Sequence, residues 1–206
     1  LIQSVKTIGG ISNDFGYSFV LDQQKNMYCL GTTNNDSIDF DLGPTTYKLK
    51  SGYADIFIAK YDSSSNLIWV KMIGGTGMDV ARQITLDKNG GLFVSGLFKN
   101  KVDFDPSNDT SYLTSLGDMD AFLLKLDTNG NFKWVKQLGG YGQQNINEFI
   151  IDTNHNIICV GDFEYEVDFD PGIGVHELIS TNYSFDVYVL KLDSMGNFIW
   201  VNKFGS

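Results

Sequence analysis

The chain repeats itself. Ile68-Trp69-Val70-Lys71-Met72-Ile73-Gly74-Gly75 returns as Lys133-Trp134-Val135-Lys136-Gln137-Leu138-Gly139-Gly140, and again as Ile199-Trp200-Val201-Asn202-Lys203-Phe204-Gly205. The tryptophans stand 65 and 66 residues apart. One step of 65 back from Trp69 lands on Ser4, in Ser4-Val5-Lys6-Thr7-Ile8-Gly9-Gly10, a copy that lacks the tryptophan. Asp22, Asp87 and Asp152 keep the step, as do Gly31, Gly96 and Gly161. Asp55, Asp120 and Asp186 keep it within one residue, and so do Lys60, Lys125 and Lys191. A repeat of this length is one supersecondary unit that must stack on its neighbours to bury its apolar face.

Inside each unit a turn signature occurs twice: Asp, three residues, then Asn or Gly. The six cases begin at Asp22, Asp62, Asp87, Asp127, Asp152 and Asp193. Gly90, Gly130 and Gly196 fill the fourth place in three of them. An Asp that accepts turn amides, followed by a residue of positive φ, closes a hairpin. The hairpin reading is favoured for all six; the competing reading, a calcium loop, lacks the alternating ligands and the closing Glu of a helix-flanked site. The runs beside the turns are short and rich in aromatic and β-branched residues, as strands are. Phe57-Ile58-Ala59, Phe122-Leu123-Leu124 and Val187-Tyr188-Val189-Leu190 are apolar without alternation, so both faces of those strands are expected to be covered. No stretch carries a helical period.

Four strands per unit, covered on both faces by like units, describe β-propeller blades in an all-β fold. In the middle blade the strands are expected at about 80–87, 91–98, 120–127 and 131–138. The Gly-Gly motif would carry the chain from the rim strand to the next inner strand. The expected division is a strand of a preceding blade at 1–10, then blades at 11–74, 75–139 and 140–206. Residues 1–8 would be the extra rim strand, and a rim strand is also expected at 198–204.

The residues resemble the bacterial β-propeller repeat called SBBP. The resemblance rests on Ile73-Gly74-Gly75-Thr76-Gly77-Met78-Asp79-Val80-Ala81, Ile84-Thr85-Leu86-Asp87-Lys88-Asn89-Gly90, Phe93-Val94-Ser95-Gly96 and Asp120-Ala121-Phe122-Leu123-Leu124-Lys125-Leu126-Asp127. The pattern covers the chain three times and is specific as a set. It implies a non-catalytic propeller module of a secreted or cell-surface bacterial protein, and no shared catalytic residues. Units one and three depart at Ile11-Ser12-Asn13-Asp14 and Tyr141-Gly142-Gln143-Gln144, and the Val-Asp-Phe-Asp-Pro insert is longer than the family's segment there.

Propellers close with roughly four to eight blades. Three would leave apolar flanks open. Further blades of a longer chain, a second copy completing six blades, or an open three-blade form would each answer this. Other partners are limited by charge. With 15 Lys+Arg against 25 Asp+Glu and a net charge of −10, a basic face for nucleic acid is not expected. No apolar run approaches a membrane span. No basic-then-apolar leader opens the sequence, so an export signal would have been removed or lie outside it.

The long segments between the second and third strands, such as Lys99 to Met119, should share one end of the scaffold, where binding usually evolves. They carry the pairs Asp39/Asp41, Asp103/Asp105 and Asp168/Asp170. Residues i and i+2 of extended chain share a side, so each pair can aim together while Phe40, Phe104 or Phe169 points inward. Two readings stand: a calcium site, or a solvated edge whose second Asp caps a turn. No cofactor is required by any motif. Cys29 and Cys159 replace Val94 and read as buried apolar positions, not a disulfide. His155 takes the turn place of Gly90, and His176 has no identifiable partner. The tryptophans are expected to pack between blades. The leading function is a scaffold that binds surface protein or glycan through its long-loop face. The alternative is a polysaccharide hydrolase or lyase using acidic residues there, with the unrepeated Glu148 and Glu166 as candidates.

Overall fold

The computed structural model describes residues 6–34, 37–50 and 52–205. The first unit contains β1 (Asp14–Leu21), β2 (Met27–Thr33), β3 (Ser37–Asp39), β4 (Lys48–Lys50), β5 (Asp55–Tyr61) and β6 (Leu67–Gly75). The second contains β7 (Val80–Leu86), β8 (Gly91–Phe98), β9 (Lys101–Asp103), β10 (Tyr112–Thr114), β11 (Asp120–Asp127) and β12 (Phe132–Gly140). The third contains β13 (Gln144–Ile151), β14 (Ile157–Phe163), β15 (Glu166–Asp168), β16 (Glu177–Ile179), β17 (Asp186–Leu192) and β18 (Phe198–Phe204). A single 3-10 turn at Thr181–Tyr183 is the one helical element among the described residues.

Every unit is the same antiparallel meander, β1-β2-β5-β6, β7-β8-β11-β12 and β13-β14-β17-β18, and none of these sheets closes on itself. Between its second and third strands each unit inserts a small hairpin: β3-β4, β9-β10 or β15-β16. Each first strand carries a bulge at the same place, at Gly16/Ser18, Ala81/Gln83 and Ile146/Glu148. The expected extra strand at 1–8 falls partly outside the described residues. Lys6 to Ile8 form no strand, and Gly9 makes an isolated bridge to Asp39.

The units stack face to face. One apolar cluster joins Tyr28, Leu30, Ile56 and Ile58 of the first unit to Ile84, Val94, Phe122 and Leu124 of the second. Another joins Phe93, Leu97, Ala121 and Leu123 of the second to Phe149, Cys159, Tyr188 and Leu190 of the third. The unbroken apolar run of β11 follows from this: Phe122 and Leu124 serve the first unit, Ala121 and Leu123 the third. All seven residues of β5 are buried, Ile56 and Ile58 against the second unit and Phe57, Ala59 and Tyr61 against Ile38 and Phe40 of their own insert. β17 differs from the expectation. Its residues alternate between buried and less buried: Tyr188, Leu190 and Leu192 pack against the second unit, while the face of Val187 and Val189, which in β5 and β11 meets the following unit, is less covered.

Gly31, Gly96 and Gly161 have one steric cause. A Cβ on Gly96 would lie 2.3 Å from the Val80 carbonyl and 2.6 Å from the Phe122 ring. On Gly31 it would meet Phe57 at 2.3 Å, and on Gly161 the Asn145 carbonyl at 1.8 Å. The aromatic side chain of the third strand lies over the bare second strand. Fully buried Phe40, Phe104 and Phe169 of the inserts pack on those rings, at 5.2 Å from Phe57, 4.8 Å from Phe122 and 4.6 Å from Tyr188.

Candidate functional site

The six Asp turns fold alike. Asp62 Oδ1 accepts the amides of Ser64 and Asn66, both at 2.8 Å, and Oδ2 accepts Asn66 Nδ2. Asp127, Asp152 and Asp193 repeat all three bonds. The fourth residue is left-handed in every turn, whether it is Gly90, Gly130 or Gly196, or the bulkier Lys25, Ser65 or His155. His155 therefore serves turn geometry, with its ring beside Asn89. At Asp127 burial raises the carboxyl, but the bonds from Asn131, Lys133 and Asn129 outweigh it and hold the group at about 2.

At the opposite ends of the strands the Asp pairs build the inserts. Asp39 Oδ1 accepts the amides of Asp41 and Tyr47, Asp103 Oδ1 those of Asp105 and Ser111, and Asp168 Oδ1 those of Asp170 and His176. The second aspartates accept the amides of Gly43, Ser107 and Gly172. These are Asx turns, which give the carboxylates a role in loop closure. Among the described residues no three carboxylate, imidazole or thiolate groups gather as a metal site. Melting curves in calcium and in chelator are expected to superimpose; a rise in Tm with calcium would assign the pairs to the ion.

The Gly-Gly motif does more than cross. It lies inside the fourth strand and pairs with the insert of the next unit: Gly74 with Asp103, Gly75 with Val102, Gly139 with Asp168 and Gly140 with Val167. The bridge from Gly9 to Asp39 repeats this pairing at the first insert. Each insert is thus held by the unit before it. The first glycine makes room for the carboxylate that opens the third strand, since a Cβ on Gly74, Gly139 or Gly205 would lie 2.2 Å from Asp55, Asp120 or Asp186. The second admits the insert backbone, 2.2 Å from Lys101 O at Gly75 and 2.3 Å from Glu166 O at Gly140.

Buried carboxyls collect at this latch. Asp79 is fully buried and accepts the amides of Gly75 at 2.8 Å and Lys99 at 3.3 Å. Burial, with the charge of Asp55 added, pushes it up to about 7. Burial also raises Asp55 and Asp120. Stabilisation tied to such raised carboxyls is present below the unfolded pKa and is lost as pH rises through the folded value. The turn aspartates Asp22, Asp62, Asp127, Asp152 and Asp193 are lowered, so their contribution is lost as pH falls. Stability should peak near pH 4 and decline on both sides, with roughly 3 kcal/mol lost between pH 5 and 8 through Asp79. Urea melts across this range check it; a flat profile from pH 5 to 8 contradicts the buried carboxyls.

Spacing singled out the repeated lysines without giving them a role. Lys60 Nζ lies 4.9 Å from the Tyr28 ring centroid and donates to Thr128 O of the next unit at 3.0 Å. Trp69 Nε1 donates to the same carbonyl at 3.3 Å. Lys125 repeats this over Phe93, reaching Ser194 O at 3.4 Å, while the Trp134 indole N–H finds no acceptor. Trp69 and Trp134 thus lie at unit boundaries. A groove of about 580 Å3 opens between the turns of units two and three, beside Lys125, Trp134, Asn154 and His155. Gln83 ties the inner strands together, accepting the Phe149 amide at 2.7 Å and donating to its carbonyl at 3.0 Å. The hydrogen bonds of Lys60, Trp69, Lys125 and Gln83 leave no signal within one repeat, because their partners Thr128, Ser194 and Phe149 belong to the next.

Cys159 is fully buried and its thiol is pushed up to about 12; Cys29 is raised for the same reason, and neither forms a disulfide. The His176 ring stacks 4.5 Å from Phe198. Glu166 is exposed at the first position of β15, and Glu148 is exposed at the bulge of β13.

Comparison with protein-family models finds no match for the chain. An uncharacterized WD repeat-containing protein of Acanthamoeba polyphaga mimivirus is 27% identical over 185 residues. The match covers 84% of this chain and 13% of that protein, so the chain spans a small part of its relative's length.

Proposed function

We propose that the chain is a set of three β-propeller blades acting as a non-catalytic scaffold, with the insert hairpins as its binding face. The observation that carries this is the repeated junction. Lys60 and Trp69 grip the following unit's turn, Lys125 does the same one unit on, and each Gly-Gly strand end pairs with the following insert. WD repeats form four-stranded blades about a central axis, and a relative named for that repeat supports the same reading here. The inserts all extend from the same end of their meanders, and long loops grouped on a rigid frame favour recognition of another macromolecule. A binding partner of protein or glycan chemistry fits this face.

Catalysis is tested with the intact chain on polysaccharides, beside Glu166→Gln. No release of reducing ends or unsaturated products is expected from either. Turnover that the substitution abolishes would replace the scaffold with a glycan-cleaving enzyme.

A further inference from the structure

The turns of units two and three meet as those of units one and two do, but this second meeting leaves its donors short of acceptors. Lys60 donates to Thr128 O at 3.0 Å, and Lys191 to Asp152 Oδ2 at 3.0 Å. Lys125, their counterpart in unit two, finds its best acceptor in Ser194 O at 3.4 Å and lies 3.9 Å from Asp87. Trp69 shares the Thr128 carbonyl, whereas the Trp134 indole N–H is buried with no acceptor. Lys125 and Trp134 stand opposite each other on β11 and β12, so the two donors are neighbours. An unpaired buried donor is costly, and both of these suit one acceptor group.

Both residues line the groove of about 580 Å3, a volume within the roughly 300–1,000 Å3 of small-ligand sites. Gly90 lines it too, at the turn place that Lys25 and His155 fill with side chains in the other units. The acids of the groove are taken up by their own turns. Asp87 Oδ1 accepts the amides of Asn89 and Gly91. Asp127 accepts the amides of Asn129 and Asn131, the Asn131 side chain, and Lys133 Nζ at 3.1 Å. The remaining wall is neutral: the amides of Asn89 and Asn154, the His155 imidazole and the exposed Met195 thioether. A matching ligand carries one anionic oxygen group for the donor pair, hydroxyls for the amides and imidazole, and an aliphatic surface for Met195.

We infer that this groove binds an acidic saccharide, a uronate whose carboxylate takes the donors of Lys125 and Trp134 and whose hydroxyls meet Asn89, Asn154 and His155. An ammonium bonds a carboxylate more strongly than a neutral oxygen, so the acid is preferred over the uncharged sugar. The groove lies at the turn ends of the strands, away from the inserts, and the inference does not depend on the inserts being a binding face.

Titration of the full chain with glucuronate, glucose and acetate, followed at the indole N–H resonances in proton–nitrogen correlation spectra, tests this. Glucuronate should shift the Trp134 resonance saturably at millimolar concentration and leave Trp69 and Trp200 unmoved. Glucose and acetate should each bind roughly tenfold more weakly or worse. Lys125→Met keeps an aliphatic stem over Phe93 and should weaken glucuronate roughly tenfold. Asn154→Ala, at an exposed turn position, should fold normally and weaken it severalfold, which keeps the test decisive if Lys125→Met does not fold. A Trp134 resonance unmoved by glucuronate overturns the inference. An equal response to glucose removes the carboxylate contact, and an equal response to acetate leaves a bare anion contact; either overturns it. Unchanged affinity in the variants overturns it as well, since binding would then lie outside the groove.

Discussion

Gly96→Ala will destabilise the chain by about 3 kcal/mol or more, far beyond the propensity cost of an alanine in a strand. The new methyl must occupy space held by the Val80 carbonyl at 2.3 Å and the Phe122 ring at 2.6 Å. Neither can retreat. Val80 belongs to the register of β7 on β8, and Phe122 is fully buried between Phe98 and Phe104. The chain contains its own control. Gly16 stands where the second unit has Ala81, and a Cβ there meets nothing within 4 Å. Gly16→Ala should be neutral or stabilising by up to about 1 kcal/mol, because it restricts the unfolded chain. Urea denaturation of the two variants decides the matter; equal effects would mean that the second strand is not crowded by the third.

Phe104→Ala should cost about 3–5 kcal/mol, the range for truncating a fully buried aromatic ring. The ring does two jobs. It fills the cluster shared by the first two units, and it fixes the insert β9-β10 onto Phe98 and Phe122. The cavity therefore opens where β6 of one unit meets the insert of the next. Hydrogen exchange should quicken at the Gly74 and Gly75 amides as well as in β9, while β14 and β17 keep their protection. A fall in stability confined to the insert, with β6 unchanged, would show that the insert does not join the units.

The strand framework could be read from the chain because its signals are local. Asp-to-Asn turns fix the hairpins, and apolar runs of fixed length fix the strands between them. The middle unit accordingly has strands at 80–86, 91–98, 120–127 and 132–140, against expectations of about 80–87, 91–98, 120–127 and 131–138, and the rim strand at 198–204 is likewise found. The inward turn of Phe40, Phe104 and Phe169 was legible from alternation alone. The Gly-Gly motif was read as a crossing because its partner, the insert, belongs to the next repeat; the pairing of Gly75 with Val102 leaves no local trace. The same distance hid the reach of Lys60 to Thr128. Asp79 gave no signal either, since its raised pKa comes from burial created by two units meeting.

The claim beneath all of this is that each unit lies against the next one along the chain. The nuclear Overhauser spectrum of the indole rings tests it directly. A side-chain carbon on Gly130 would sit 3.5 Å from the Trp69 ring, and one on Gly196 would sit 3.2 Å from the Trp134 ring. Cross-peaks from Trp69 to the Gly130 Hα protons and from Trp134 to those of Gly196 are predicted. Indole cross-peaks confined to each tryptophan's own unit would contradict the stacked arrangement.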